Sequence, residues 1–156
     1  MSFDVYLERF EAGKSAQVSR EPVLAVLKTA KYTTPHNCYV VEFPDGTDVE
    51  FSASELEGSG DFTGCAFFIH GNSPHLTKFI FEIARAGDMV IFATMEPFVP
   101  ILSRSEQRQQ LPAELAENDP EPVVCCSPEE LDSLLSGGYE SWQKYRDQVL
   151  RQNRGV

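Results

Sequence analysis

The chain opens on strict alternation. In "FDVYLERF", residues 3–10, Phe3, Val5 and Leu7 share one side, and Asp4, Tyr6 and Glu8 share the other. A period of two predicts a half-buried β-strand. "EAGKSAQ" turns the chain, and the period then lengthens. Val23, Val26, Leu27 and Ala30 recur at helical spacing. A helix is predicted over about residues 20–31, capped by Ser19, with Pro22 in the first turn where its missing N–H is tolerated.

Alternation returns in "NCYVVEF" and "DVEFSAS". The "PDGT" between them is a turn, because Pro fixes φ and Gly supplies a positive φ. The reading is a β-hairpin, about 38–43 and 47–53. Val49, Phe51 and Ala53 take one face, Asp48, Glu50 and Ser52 the other. "ELEGSGDFTG" is a loop. "CAFFIH", 65–70, is more apolar and is expected to be a more central strand. In "GNSPHLTKFIFEIARAG", Ser73 caps a helix, Pro74 opens it and Gly87 ends it. Leu76, Phe79, Ile80, Ile83 and Ala84 form its core stripe. "DMVIFA", 88–93, is a strand, and "PFVPILS", with two prolines, suits a short edge strand.

Residues 104–124 are polar, then acidic, and predict a surface excursion with at most one helical turn. "SPEELDSLLSGG" is a short helix, with Ser127 as cap, Pro128 at its first position and Glu130 completing a capping box. "YESWQKYRDQVLRQNR" is a closing helix with a Tyr139, Trp142, Tyr145 and Val149 stripe. Lys144, Arg146, Arg151 and Arg154 suit its negative end. The order β-α-β-β-β-α-β, then a helical tail, predicts one α+β domain over 1–156. Its core (1–103) is an antiparallel or mixed sheet of about five strands with helices on one face. The surface excursion occupies 104–126 and the C-terminal helices 127–152.

At 156 residues the chain is long enough to bury a core without disulfides or metal. No apolar run approaches the roughly 20 residues of a membrane span. "MSFDVYLERF" lacks the basic leader and long apolar run of a signal peptide, so a cytoplasmic location is expected. The four cysteines, Cys38, Cys65, Cys125 and Cys126, form no C-x-x-C and no paired zinc spacing, and are expected to be reduced thiols.

Charge alters the picture more. The formal net charge is −11. Between Lys31 and Lys78 lie seven acids and no Lys or Arg; between Arg108 and Lys144 lie eight acids and again none. This argues against nucleic-acid binding by phosphate neutralisation. Solvated faces usually mix charge signs. One-signed faces steer a basic partner in and exclude wrong ones.

Candidate chemistry is sparse. "HGNSPH" places His70 at a strand end and His75 in the first turn of a helix, with Cys65 near in sequence. A five-residue step suits two rings on one metal, but a catalytic zinc site takes three protein ligands and no third is evident. Cys125 and Cys126 precede a helix whose N–H groups favour a thiolate, the one physical argument for a nucleophile there. "GSGDFTG" opens a strand rather than a helix and contains Asp61, so it is no phosphate loop. Asp48 and Glu50, with Asp45 in the turn, are close enough for paired-carboxylate chemistry. Nothing implies a His or a buried pocket to tune them, and polar alternation alone explains them as the wet side of a sheet. No catalytic residue and no cofactor is assigned.

Four segments, "MSFDVYLERF", "VEFPDGTDVEFSASELEG", "FEIARAGDMVIF" and "GGYESWQKYRDQV", resemble a family of small uncharacterised bacterial proteins that open MSFDVYLxRF. The resemblance spans nearly the whole chain and implies no catalytic residues. In size and charge the chain is also similar to immunity proteins of secreted toxins. The expected function is a non-enzymatic binding protein. Its acidic surface, Asp45, Asp48, Glu50, Glu55, Glu57 and Asp61, would meet a basic protein, with no nucleic acid and no membrane involved. Two alternatives stand beside it. One is a metal-binding or hydrolytic domain around His70, His75 and Cys65. The other is a regulatory domain with a small ligand in an apolar sheet–helix cleft.

Overall fold

The computed structural model describes residues 3–154, apart from the side chains at 139–143, 145–146, 149–150 and 153–154. The predicted stripe Tyr139, Trp142, Tyr145 and Val149, with Arg146 and Arg154, therefore lies outside the described side chains.

The chain runs β1 (Phe3–Glu8), a two-rung hairpin β2 (Phe10–Glu11) and β3 (Lys14–Ser15), α1 (Arg20–Leu27), β4 (Lys31–Thr33), β5 (Tyr39–Glu42), β6 (Asp48–Ser52) and β7 (Gly64–Ile69). It continues through α2 (Pro74–Ala86), β8 (Val90–Ala93), β9 (Ile101–Leu102), α3 (Ala113–Ala116), β10 (Val123–Val124) and α4 (Pro128–Arg154). The fold is α+β. One sheet has the order β10-β9-β8-β1-β7-β6-β5-β4. It is mixed, because β9 and β10 are parallel while the other neighbours are antiparallel.

The sheet thus has eight strands rather than about five. The sheet strands that were not expected, β4 and β10, are three and two residues long, too short to display a period. The "PFVPILS" strand is also not an edge. Ile101 and Leu102 are fully buried, and β9 lies between β8 and β10. The first helix stops at Leu27, and the Lys28, Thr29 and Ala30 N–H groups close back on Leu24, Val26 and Leu27. Ser19 holds the cap position without a side-chain cap bond, whereas Ser73 accepts from the His75 N–H at 3.2 Å.

Parity decides the layers. Phe3, Val5 and Leu7 of β1 pair across to Ile69, Phe67 and Cys65 of β7, and all six are buried. Val49 and Phe51 extend that inner face. Phe51 stacks on Phe67 at 4.7 Å, and Phe79 of α2 meets both edge-on at about 6 Å. Val23 and Leu27 of α1, and Leu131 and Leu135 of α4, join the same cluster. The helices α1, α2 and α4 therefore cover one face, and α4 is additionally tied to α2 by the Thr77 hydroxyl donating to Asp132 at 3.2 Å.

Residues 104–124 are not a plain excursion. They hold a 3₁₀ turn, α3 and β10. Leu111 packs with Val90 and Leu102 in a second cluster, joined by Phe10, Phe92 and Leu115. That cluster lies on the outer face and covers only the β8–β9 end. The tail also differs from the two helices predicted. One helix, α4, runs through Gly137 and Gly138, where Met95 packs closely against Gly138.

Candidate interaction surface

Among the described residues no helix covers the outer face across β4, β5, β6, β7 and β1. The register builds it row by row. Val40, Glu50, Phe68 and Asp4 form one row; Ser52, Ala66, Tyr6 and Phe92 form the next. Glu42 and Asp48 pair beside them. Tyr6 is 42% exposed in mid-sheet. Phe92 stacks on Phe98 at 5.9 Å and 4°, and Phe98 is itself 38% exposed. A shallow furrow of about 310 Å³ runs past Tyr6 and Glu8, floored by Gly64 and Ala66 and bounded by Ser52.

Five carboxylates share this outer face: Asp4 and Glu8 flank Tyr6 on β1, and Glu42, Asp48 and Glu50 lie two or three strands away on β5 and β6. Within β1 and β4 to β8, Lys31 is the one Lys or Arg, and it sits at the far edge, 3.1 Å from Glu42. His70 stands 4.0 Å from Glu50. The Tyr6 hydroxyl donates to Asp4 at 3.3 Å, and Ser15 donates to Glu8 at 2.5 Å.

The six acids expected to form one surface divide into three groups. Asp48 and Glu50 lie on the outer face. Asp45 sits in the β5–β6 turn, where it accepts from Ser73 at 2.5 Å and from the Thr47 N–H and hydroxyl at 3.0 and 2.5 Å. The hydrogen bond from Ser73, then those from Thr47, hold its carboxyl down to about 2. Glu55, Glu57 and Asp61 lie in the loop beyond the other end of β6. Glu55 accepts the Gly60 N–H at 2.8 Å, Glu57 the Tyr39 hydroxyl at 2.5 Å, and Asp61 the Gln17 amide at 2.7 Å. A strand of this length separates the two ends by roughly 17 Å.

The alternative sites fare differently. Cys65 points into the core and is 9% exposed, whereas His70, five residues on, belongs to the opposite, outer parity. Cys65 therefore cannot share a metal with His70. Among the described residues no group of three His, Cys, Asp or Glu side chains converges as a metal site. Burial pushes the Cys65, Cys38 and Cys125 thiols up, against what a nucleophile needs. Between Phe3, Ile69, Leu76 and Ile80 the middle of the sheet–helix layer leaves about 10 Å³ open, less than a ligand requires, whereas at its edge a cleft of about 480 Å³ lies between Phe43 and Phe79 of α2.

The sequence reading missed Asp4, Glu8 and Glu42 as partners of Asp48 and Glu50, and missed the aromatic strip altogether. A signal was present: Tyr6 sits on the polar side of an alternating strand, flanked by Asp4 and Glu8. No family model, curated protein or solved structure matches the chain.

Proposed function

We propose that the chain is a non-catalytic binding protein whose open sheet face docks a basic protein, as an immunity-type inhibitor docks its toxin. One observation carries this reading: an uncovered sheet face that carries five acids and, along its β1–β8 border, the exposed aromatics Tyr6 and Phe98. Interfaces combine aromatic anchors with polar and charged residues beside them. The acids repel a second copy of the same face, so a basic partner fits better than self-association. Asp48 and Glu50 carry the steering role, while Asp45, Glu55, Glu57 and Asp61 mainly hold turns.

The test is capture by tagged full-length protein and by its Asp48→Lys/Glu50→Lys variant, at about 50 mM and about 500 mM salt. One basic protein held at low salt, released at high salt and lost by the variant supports the reading. A partner captured equally by both proteins at both salts overturns it.

A further inference from the structure

The edge of the sheet at β4 is a different surface from the open face. Among the described residues the sheet ends at β4, which pairs with β5 through Lys31–Glu42, Tyr32–Val41 and Thr33–Val40 and has no strand on its other side. A free edge is a template for another strand unless shortness, a proline, a bulge, a charge or a covering element blunts it; β4 is short, at three residues, so the clefts at its two ends must add to what its few main-chain groups offer. β4 contains no proline. Its one charge, the Lys31 ammonium, is drawn 3.1 Å from Glu42.

Two clefts bracket this edge. At the Lys31 end a cleft of about 480 Å³ is floored by Phe43 and Phe79, with Lys78, His75 and Glu82 on its walls. At the Thr34 end a cleft of about 500 Å³ is lined by Thr34, Tyr39, Glu55 and Glu57. Glu55 and Glu57 each accept one fixed hydrogen bond. An ionised carboxylate offers about four acceptor positions, so both keep capacity for a cation. Lys31 and Thr34 are about 10 Å apart along an extended chain. On an added strand, side chains at i and i+4 share a side and lie about 13 Å apart, which spans the two clefts.

We propose that the β4 edge takes an extended peptide as an added strand. An Arg or Lys side chain enters the Glu55–Glu57 cleft, and an apolar side chain four residues away enters the Phe43–Phe79 cleft. Main-chain bonds supply affinity and the two clefts supply sequence preference, the logic of β-strand addition. The occupant is a peptide segment of another protein, because its basic residue complements the acidic cleft. The mode is independent of the open-face reading, since it uses an edge and not a face.

The probes are two blocked peptides, acetyl-Thr-Arg-Thr-Val-Thr-Phe-Thr-amide and its reverse, titrated into ¹⁵N-labelled full-length protein. Saturable shifts are expected at the Lys31–Thr34 amides for at least one direction, with slowed amide exchange in β4. N-methylation of the central residue is expected to weaken that peptide roughly ten-fold, as lost main-chain hydrogen bonds require. Glu57→Gln should weaken the Arg peptide by about three-fold or more and leave a Gln-for-Arg peptide unchanged. Asp48→Lys should leave the β4 shifts in place, which separates this mode from the open-face reading. Absence of saturation at about 1 mM overturns the proposal, as do equal binding of the N-methylated peptide, shifts at Tyr6 and Phe92 instead, or a β4-to-β4 dimer without peptide.

Discussion

Asp45 shows how much one exposed carboxylate can organise. It receives the Ser73 hydroxyl that caps α2 and the Thr47 groups that close the hairpin, so it joins two elements 28 positions apart. Those bonds favour the charged form and lower its folded pKa from 3.8 to about 2. A carboxyl depressed on folding adds stability that is fully present above its unfolded pKa and is lost as pH falls through the folded one. Asp45→Asn is therefore expected to lower the melting temperature at neutral pH. It should also flatten the part of the acid dependence that lies between pH 3.8 and about 2. Thermal melts of both proteins across that range check it, and parallel acid profiles would remove Asp45 from this role. The sequence places Asp45 in a turn but cannot show Ser73 beside it, because the link is tertiary. For Asp48 and Glu50 parity alone suffices, since Val49 between them and Phe51 after them face the core.

At the scale of elements, legibility follows period and length. β1, β5, β6, β7 and α2 repeat long enough for their faces to be read. β4, β9 and β10 offer two or three residues each, so pairing rather than pattern makes them strands. Residues 104–124 mislead for a further reason: their burial is partly polar. Gln107 is 5% exposed and accepts from the Ser103 and Arg104 N–H groups at 2.9 and 3.2 Å. Its amide donates to Asp88 and to the Ser103 hydroxyl at 3.0 Å each. Ser103 in turn donates to the Met89 carbonyl at 2.9 Å. A composition reading scores Gln as surface, yet here it fixes the segment that lays Leu111 over Val90 and Leu102. Gln107→Ala strands buried donors and acceptors and should cost about 1–3 kcal/mol. Urea denaturation measures that loss. A variant as stable as the parent would show that the segment is held by Leu111 and its neighbours instead.

At the scale of the whole molecule, the acid-only run between Lys31 and Lys78 is not one patch. The fold spreads it over an open face, a turn and a loop, then adds Asp4 and Glu8 from the N-terminal strand, which lies between β7 and β8. Charge counted along the sequence hinted at a partner surface, but only strand order reveals its neighbours. Strand order here depends on pairings more than 50 residues apart, such as Val5 with Phe67 and with Ala93. The same placement divides the labour of binding. Exposed carboxylates on a face act on encounter, while an aromatic anchor beside them acts on residence. Once a partner is in hand, Glu50→Lys should slow association and reduce its salt dependence, with dissociation little changed. Tyr6→Ala should speed dissociation roughly ten-fold or more, the cost typical of a buried aromatic anchor, and leave the association rate nearly unchanged. Surface plasmon resonance at two salt concentrations separates the two. If Tyr6→Ala leaves the dissociation rate alone, the aromatic strip lies outside the contact, and the partner is held by the acids or at another surface.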